Sequence, residues 1–163
     1  MTETDRTSRG SGGADVVDVR GYVVRLDREY HPPTHLWVLD VGGGHRRVGL
    51  DALSAETYGR LAQLVLPPVG RRVEPGDEVG SLEAAKFVGP LVSPLHGIVR
   101  AVNAAVLEDP DLAVREPYDG GWLLELELDP GHDRVPGTVA GDRAVAWYES
   151  AVAAHCEIDE ADR

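Results

Sequence analysis

Alternating apolar and polar residues dominate the first part of the chain and predict β-strands. The segments 15–26 and 35–41 are rich in valine and repeat apolar positions with the period of two that is typical of a half-buried strand. Three glycines at positions 42–44 follow the second segment and can adopt positive φ angles, so they predict a hairpin turn. The chain is therefore expected to begin with antiparallel strands.

A short helix is predicted after this hairpin. Asp51 or Ser54 can cap its first turn, the helix is expected to continue to about Tyr58, and Gly59 can end it. Strand character returns at 61–66. The prolines and glycines between 67 and 76 then leave room only for short strands between tight turns, so the middle of the chain is predicted to be all β.

Four further strands and a terminal helix complete the predicted elements. The strand segments are 79–85, 91–93, 97–103 and 122–129. In the last of them leucines and glutamates alternate and are expected to face opposite sides. After Asp142 the apolar residues Val145, Tyr148 and Val152 recur at helical spacing, which predicts an amphipathic helix packed on the sheets.

The length and termini indicate one domain with two tails. A chain of 163 residues is long enough for one core and short for two. We expect a disordered N-terminal tail at 1–14, a single domain at 15–155 and an acidic tail at 156–163. The N-terminal residues lack the basic start and apolar run of a secretory signal. The single cysteine, Cys156, suits a reducing compartment, so we expect a cytoplasmic protein.

The charge balance excludes some classes of partner. Twenty-eight acidic and 16 basic residues give a formal net charge of −12, which disfavours nucleic acid. No apolar stretch is long enough for a membrane span. The acidic surface either promotes solubility alone or steers encounters with basic faces of partner proteins. We expect a monomer.

Lys86 is the most informative residue because it is the only lysine of the chain. A lysine amine can form an amide with a carboxylic acid cofactor, whereas an arginine guanidinium is too delocalised to acylate readily. Ala84 and Ala85 add no bulk beside it, and the predicted hairpin would present it to a modifying enzyme. A surface lysine left by chance in an arginine-rich chain is the alternative.

Several short motifs together resemble the glycine cleavage H proteins over roughly residues 34–147. Glu83-Ala84-Ala85-Lys86 is similar to the family's Glu-Ser-Val-Lys, with a Ser-Pro pair and a glycine at the family's spacing after the lysine. The other similar segments are His35-Leu36-Trp37-Val38, Val48-Gly49-Leu50, Leu66-Pro67, Val69-Gly70, Ser93-Pro94, Gly97, Val102-Asn103, Asp109-Pro110, Leu112, Pro117-Tyr118 and Gly121-Trp122-Leu123.

The resemblance implies a fold, a cofactor and site residues. The implied fold is mainly β, with two antiparallel sheets in a barrel-sandwich hybrid like that of lipoyl and biotinyl carriers. Lys86 would carry a covalent lipoyl group, and Glu83 and Gly97 would shape the hairpin that lipoylating enzymes recognise. The alternatives are a solvated charge for Glu83 and, for Gly97, a glycine that only lets two strands approach closely.

The implied function is that of a carrier without catalytic residues of its own. The lipoyl arm would carry an aminomethyl group as a swinging arm between enzymes of glycine cleavage. Its partners would be a pyridoxal-phosphate-dependent glycine decarboxylase, an aminomethyltransferase, dihydrolipoamide dehydrogenase and the lipoylating enzymes. No catalytic base for the thiol chemistry of the arm is identifiable from the sequence.

Departures from the family pattern keep one alternative open. Phe87 follows the lysine where a small residue is typical, and Gly89-Pro90 makes the next turn unusual. Phe87 and the altered helix segment from Asp51 to Ser54 favour a carrier of the same fold that serves another pathway, such as sulfur metabolism or specialised biosynthesis. The Asp51 to Ser54 segment, Val65, Pro68 and Val114 also depart from the pattern.

Other classes of function fit the sequence less well. A biotinyl carrier would show Met-Lys-Met, and a Schiff-base enzyme would need a buried or crowded amine. The spacing of Gly44 and Gly49 resembles a phosphate-binding loop, but the required Lys and Ser/Thr are absent. The six histidines are scattered, so no metal site is predicted. An unmodified interaction domain remains the alternative that keeps the fold and lacks the cofactor.

Overall fold

The computed structural model describes residues 16–85, 87–132 and 135–161, and for residues 158–161 it describes the backbone alone. Its strands are β1 (Val16–Val19), β2 (Tyr22–Arg25), β3 (Glu29–His31), β4 (Leu36–Gly42), β5 (His45–Leu50), β6 (Leu61–Val65), β7 (Arg72–Val73), β8 (Glu78–Ala84), β9 (Phe87–Val92), β10 (Gly97–Val102) and β11 (Leu124–Leu128). Its helices are α1 (Ala52–Tyr58), α2 (Ala104–Glu108), α3 (Leu112–Arg115) and α4 (Gly141–Ala161).

Two antiparallel sheets form the body of the described chain. The larger has the order β3-β4-β5-β11-β10-β7, and the smaller has the order β6-β8-β9. Strands β1 and β2 pair separately as a two-stranded sheet. The mainly β architecture, with a short helix after the hairpin at 42–44 and a helix near the C-terminus, agrees with the prediction.

The main core lies between the two larger sheets. Inward side chains of the six-stranded sheet, such as Val48 and Leu126, belong to one cluster with Leu82 and Leu91 of the three-stranded sheet. In β11 the leucines 124, 126 and 128 are buried and the glutamates between them are less so, as the alternation predicts. Burying this apolar surface is the main term that holds the two sheets together.

A second cluster fixes α4 and the β1–β2 hairpin to the larger sheet. Tyr148 and Val152 of α4 are fully buried against Tyr30 and Trp37. The hydroxyl of Tyr148 accepts a hydrogen bond from the backbone N–H of Leu53 at 2.6 Å. This bond satisfies an N–H of the first turn of α1, which has no partner inside the helix, so α4 and α1 are held in one arrangement.

Some predicted elements differ from the structure. The strand expected at 15–26 is interrupted at Arg20 and Gly21, which have φ angles of 53° and 96° and turn β1 back on β2. The sequence analysis did not identify β3, β7, α2 or α3, which are too short to show a period. The C-terminal helix runs to Ala161 and so passes the expected end of the domain at 155.

The residues predicted to cap and to end α1 do so in the structure. Asp51 is its N-cap and accepts the backbone N–H of Ser54 at 2.8 Å, and Gly59 follows its last residue with a φ of 70°. Among the described residues, no helix combines the length and the apolar character needed to cross a bilayer.

Candidate functional site

The β8–β9 hairpin carries the segment that the sequence singles out. Ala84 pairs with Phe87 and Glu83 pairs with Val88, so the strands are in register up to the residues that flank Lys86. Lys86 itself lies outside the described residues. Both flanking residues, Ala85 and Phe87, are exposed, so the backbone on either side of Lys86 is accessible to a partner protein.

Glu83 lies on the outer face of the three-stranded sheet. It is exposed and stands between Gln63 of β6 and Val88 of β9, which is 72% exposed. A carboxylate beside an exposed apolar side chain, three residues before the lysine, is a surface that a modifying enzyme can contact. An exposed Glu83 fits both the recognition by lipoylating enzymes that the resemblance implies and the alternative of a solvated surface charge.

Phe87 joins the hairpin to α1. Its ring stacks on Tyr58, with centroids 4.9 Å apart and 24° between the ring planes. The tip of the ring also lies next to Gly89, where an added Cβ would lie against the ring atoms. The two departures from the family pattern are therefore in contact, because the ring at 87 occupies the space that a side chain at 89 would enter.

A hollow without charged residues in its lining lies beside this stack. It has a volume of about 160 Å³ and is lined by side chains from both sheets, including Leu36, Leu50, Leu82 and Leu91. Tyr58 closes one side of it, and burial, with a smaller contribution from the charge of Asp51, raises the pKa of its phenol. The hollow can accept an apolar group, and it offers almost no charge to bind an ionic one.

Gly97 is not part of the hairpin. It begins β10 in the six-stranded sheet, where it pairs with Leu128 of β11 and Val73 of β7. A Cβ at this position would lie against the carbonyl oxygen of Glu127. The structure therefore places Glu83 and Gly97 in different sheets, and close strand approach is sufficient to require glycine at 97.

Ser93, which the sequence comparison used as an anchor, fixes the turn between β9 and β10. Its hydroxyl donates to the carbonyl of Leu95 at 3.0 Å and accepts the N–H of Leu95 at 3.1 Å. Ser93 is buried, and its backbone bonds to Gly76 and Asp77. Its role in this structure is to connect the hairpin to the larger sheet.

The sequence analysis missed one pair of polar residues. The Nδ1 atom of His35 lies 2.8 Å from the Oδ2 atom of Asp51, whose side chain has no exposed surface. The residues are 16 positions apart, and only the β4–β5 pairing brings them together. A helix-capping aspartate was recognised from the sequence, but the sequence has no signal for its second partner.

The histidines do not form a metal centre in the described part of the chain. The rings of His96 and His132 lie with their centroids 4.3 Å apart and are tilted by 34°. Across residues 16–85, 87–132 and 135–161, no three His, Cys, Asp or Glu side chains are grouped in a way that could bind a metal ion.

Comparison with known proteins is consistent with the geometry of this site. A family model described as "Glycine cleavage H-protein" matches residues 28–146, which include β8, β9 and Lys86. A glycine cleavage system H protein from Bifidobacterium longum is 43% identical over 95 residues, covering 58% of this chain and 69% of the relative. One from Nitratidesulfovibrio vulgaris is 36% identical over 120 residues, covering 74% and 88%.

A solved structure has the same fold. The crystal structure of a glycine cleavage system H protein from Mycobacterium marinum superposes with a TM-score of 0.68 at 28% identity. The match covers 78% of this chain and 98% of the other. The barrel-sandwich architecture expected from the sequence is thereby confirmed.

Proposed function

Because the chain belongs to the glycine cleavage H-protein family, we propose that it carries a lipoyl group in amide linkage to Lys86 and presents it to the enzymes of glycine cleavage. It is a lipoyl carrier that shuttles an aminomethyl group between those enzymes. The observation that carries the proposal is the paired β8–β9 hairpin, with accessible residues on both sides of the only lysine in the chain.

The surroundings of the hairpin fit a lipoyl group. The group is apolar along its length and ends in a ring with two sulfur atoms, and it supplies a dithiol that can be oxidised and reduced. The hollow lined by Leu36, Leu50, Leu82 and Tyr58 adjoins the hairpin and has no charged residue in its lining. Sulfur atoms make favourable contacts with aromatic rings, and Tyr58 and Phe87 provide two.

In this proposal Glu83 acts through contact with another protein, whereas Gly97 acts through packing within the chain. Glu83 contacts the lipoylating enzyme, since it is exposed on the face that continues from the hairpin. Gly97 acts through packing, because its lack of a side chain allows β10 to approach β11 closely in the six-stranded sheet. The chain itself provides position and shelter and is not an enzyme.

The partners of the carrier follow from its place in the system. They are the pyridoxal-phosphate-dependent decarboxylase, the aminomethyltransferase, dihydrolipoamide dehydrogenase and the lipoylating enzymes. The net charge of −12 favours encounters with basic docking faces, and such attraction weakens as salt is added. We place the carrier in the cytoplasm as a monomer.

Intact mass spectrometry of the protein isolated from its native host tests the attachment directly. A mass increase equal to one lipoyl group, mapped to the peptide with Lys86, is the expected result. The Lys86→Arg variant keeps the positive charge and cannot be acylated, so it must show no increase. An unmodified wild-type chain in a host that lipoylates other proteins would refute the proposal.

Reconstitution tests the pathway, and a charge-neutral variant tests Glu83. With the decarboxylase, the lipoylated protein is expected to support exchange of labelled bicarbonate into glycine, and no exchange would exclude this pathway.

Glu83→Gln is expected to slow lipoylation by a ligating enzyme. Glu78→Gln, at an exposed position of the same strand, is the matched control, and equal rates for the two variants would remove Glu83 from the recognition surface.

A further inference from the structure

His35 and Asp51 form a pair that the carrier function described above does not use. Their side chains meet at 2.8 Å, and the backbone N–H of Asp51 also donates to the carbonyl of His35 at 3.2 Å. His35 has a φ of 58°, a conformation that costs free energy in a residue other than glycine and is concentrated at functional sites. Asp51 also accepts the N–H of Ser54, so its carboxylate is fixed on both oxygens.

This geometry determines which nitrogen of the imidazole is available. A neutral His35 that donates its Nδ1–H to the carboxylate has an unprotonated Nε2, which is a proton acceptor. The side chain is 30% exposed and lies at 5.0 Å, centroid to centroid, from the ring of Trp147. A buried carboxylate that orients an imidazole in this way also stabilises the imidazolium when it forms.

The ring of His35 faces a groove of about 400 Å³ between α1 and α4. The other titratable groups on the groove are Tyr58 of α1 and His155 of α4, and His31 lies on the preceding turn. Burial lowers the pKa of His31, whose Nδ1 is paired with Thr34. The hydroxyls of Ser54 and Thr57 donate to helical carbonyls, which leaves His35 as the oriented base.

The groove lies next to the hollow beside the β8–β9 hairpin. Pro33, Thr34 and Tyr58 line both spaces. Tyr58 stacks on Phe87, the residue that follows Lys86 in the sequence. An extended group attached next to Phe87 can therefore pass along Tyr58, which lines both spaces, toward His35.

We propose that His35 accepts a proton from a thiol of the reduced lipoyl arm, and that Asp51 holds the imidazole for this transfer. The S–H bond breaks, its electron pair stays on sulfur as a thiolate, and the proton forms a bond with Nε2. The imidazolium and the thiolate then stabilise each other as neighbouring opposite charges. This inference rests on the proposed function, and it assigns to the carrier itself a role in preparing the thiol for reaction.

Alkylation of the reduced arm tests the proton transfer. The full chain is lipoylated in vitro, confirmed by mass, reduced and treated with iodoacetamide, and the modified arm is quantified on its own peptide so that Cys156 does not contribute. In the His35→Asn variant, alkylation at pH 7 is expected to be about tenfold slower than in wild type, and the rates converge above the thiol pKa. Asparagine tolerates a positive φ, so the turn is retained.

A matched variant and a measurement on wild type separate this role from a structural one. His155→Gln, which removes the other imidazole of the groove, is expected to react like wild type. In the unmutated protein, the proton NMR signal of the His35 ring is expected to shift between the oxidised and reduced arm.

Superimposable alkylation profiles for wild type and His35→Asn would overturn the inference, as would an unchanged His35 signal or an equal loss in His155→Gln. Failure of the arm to attach to Lys86 is read from the mass spectrum before alkylation. It would refute the proposed function, and the inference with it.

Discussion

Replacing Gly97 by alanine tests whether close strand approach is what this position requires. The added methyl would lie against the carbonyl oxygen of Glu127, and its nearest approach to the Cα of Leu128 would be 3.3 Å. Both are backbone atoms of the neighbouring strand β11, so no change of side-chain rotamer can relieve the contact. The strands must separate or shift where Gly97 pairs with Leu128.

The expected cost follows from the size of that shift. Unbonded heavy atoms are in favourable contact at roughly 3.5–4.0 Å, so the main chain must move to accommodate the methyl group. Overpacking of this kind destabilises a protein by about 1–3 kcal/mol. In a chain of this size each kcal/mol changes Tm by about 2–4 °C, so 2 kcal/mol would lower Tm by roughly 4–8 °C.

Urea unfolding of wild type and variant measures the loss, with Gly120→Ala as the control. A Cβ at Gly120 would meet only the carboxyl group of Glu116, with Oε1 at 2.7 Å and Cδ at 3.7 Å, and that flexible side chain can move away. We expect Gly120→Ala to change stability by less than about 0.5 kcal/mol. Equal stability of Gly97→Ala and wild type would refute the steric argument, and so would an equal loss in both variants.

The same variant distinguishes packing from recognition at Gly97. At a temperature where Gly97→Ala is folded, we expect a lipoylating enzyme to modify Lys86 at the wild-type rate, because residue 97 lies in the six-stranded sheet and the hairpin is in the other. A folded variant that is modified poorly would instead make Gly97 part of the recognised surface.

Two further predictions concern the second core cluster. Burial raises the pKa of Tyr30 to about 12 and raises the pKa of the other two buried tyrosines, Tyr118 and Tyr148. The unfolded chain therefore releases these protons first, and unfolding free energy is expected to fall between pH 10 and 12 by about 1.4 kcal/mol per pH unit for each such group. Ultraviolet titration should show phenolate from these three only as the chain unfolds, and their ionisation in the folded state would contradict this. Arg28 is 5% exposed, and its guanidinium carbon lies 4.5 Å from the Trp37 ring centroid. Arg28→Lys is expected to lower the free energy of unfolding, measured in urea, by about 1–3 kcal/mol. Unchanged stability of this variant would show that only the charge at position 28 matters.

The sequence determined local features because each of them depends on neighbouring residues. The cap and stop of α1 at Asp51 and Gly59 were predictable, since a side-chain oxygen and a positive φ act within one turn. The alternation of β11 also gave its buried face. Lys86 was identifiable as a candidate attachment residue because no other lysine exists in the chain.

The tertiary structure decided the features that join distant segments. The break between β1 and β2 depends on Arg20 adopting a positive φ, which the valine-rich pattern around it does not reveal. Phe87 and Gly89 were recognisable only as unusual residues, and the stacking of Phe87 on Tyr58 of another element explains both. The resemblance implied that Gly97 shapes the hairpin, and only the strand pairing showed that it lies in β10 of the other sheet, against β11.

His35 illustrates the same limit at the candidate site. In the sequence it is one of six scattered histidines, and Asp51 is a helix cap. Pairing of β4 with β5 brings the two side chains together, and α4 then forms one wall of the groove that the imidazole faces. Sequence spacing therefore predicted Lys86 as the attachment residue, whereas only the packing of α1 and α4 against the sheets decided which polar groups line the groove that His35 faces.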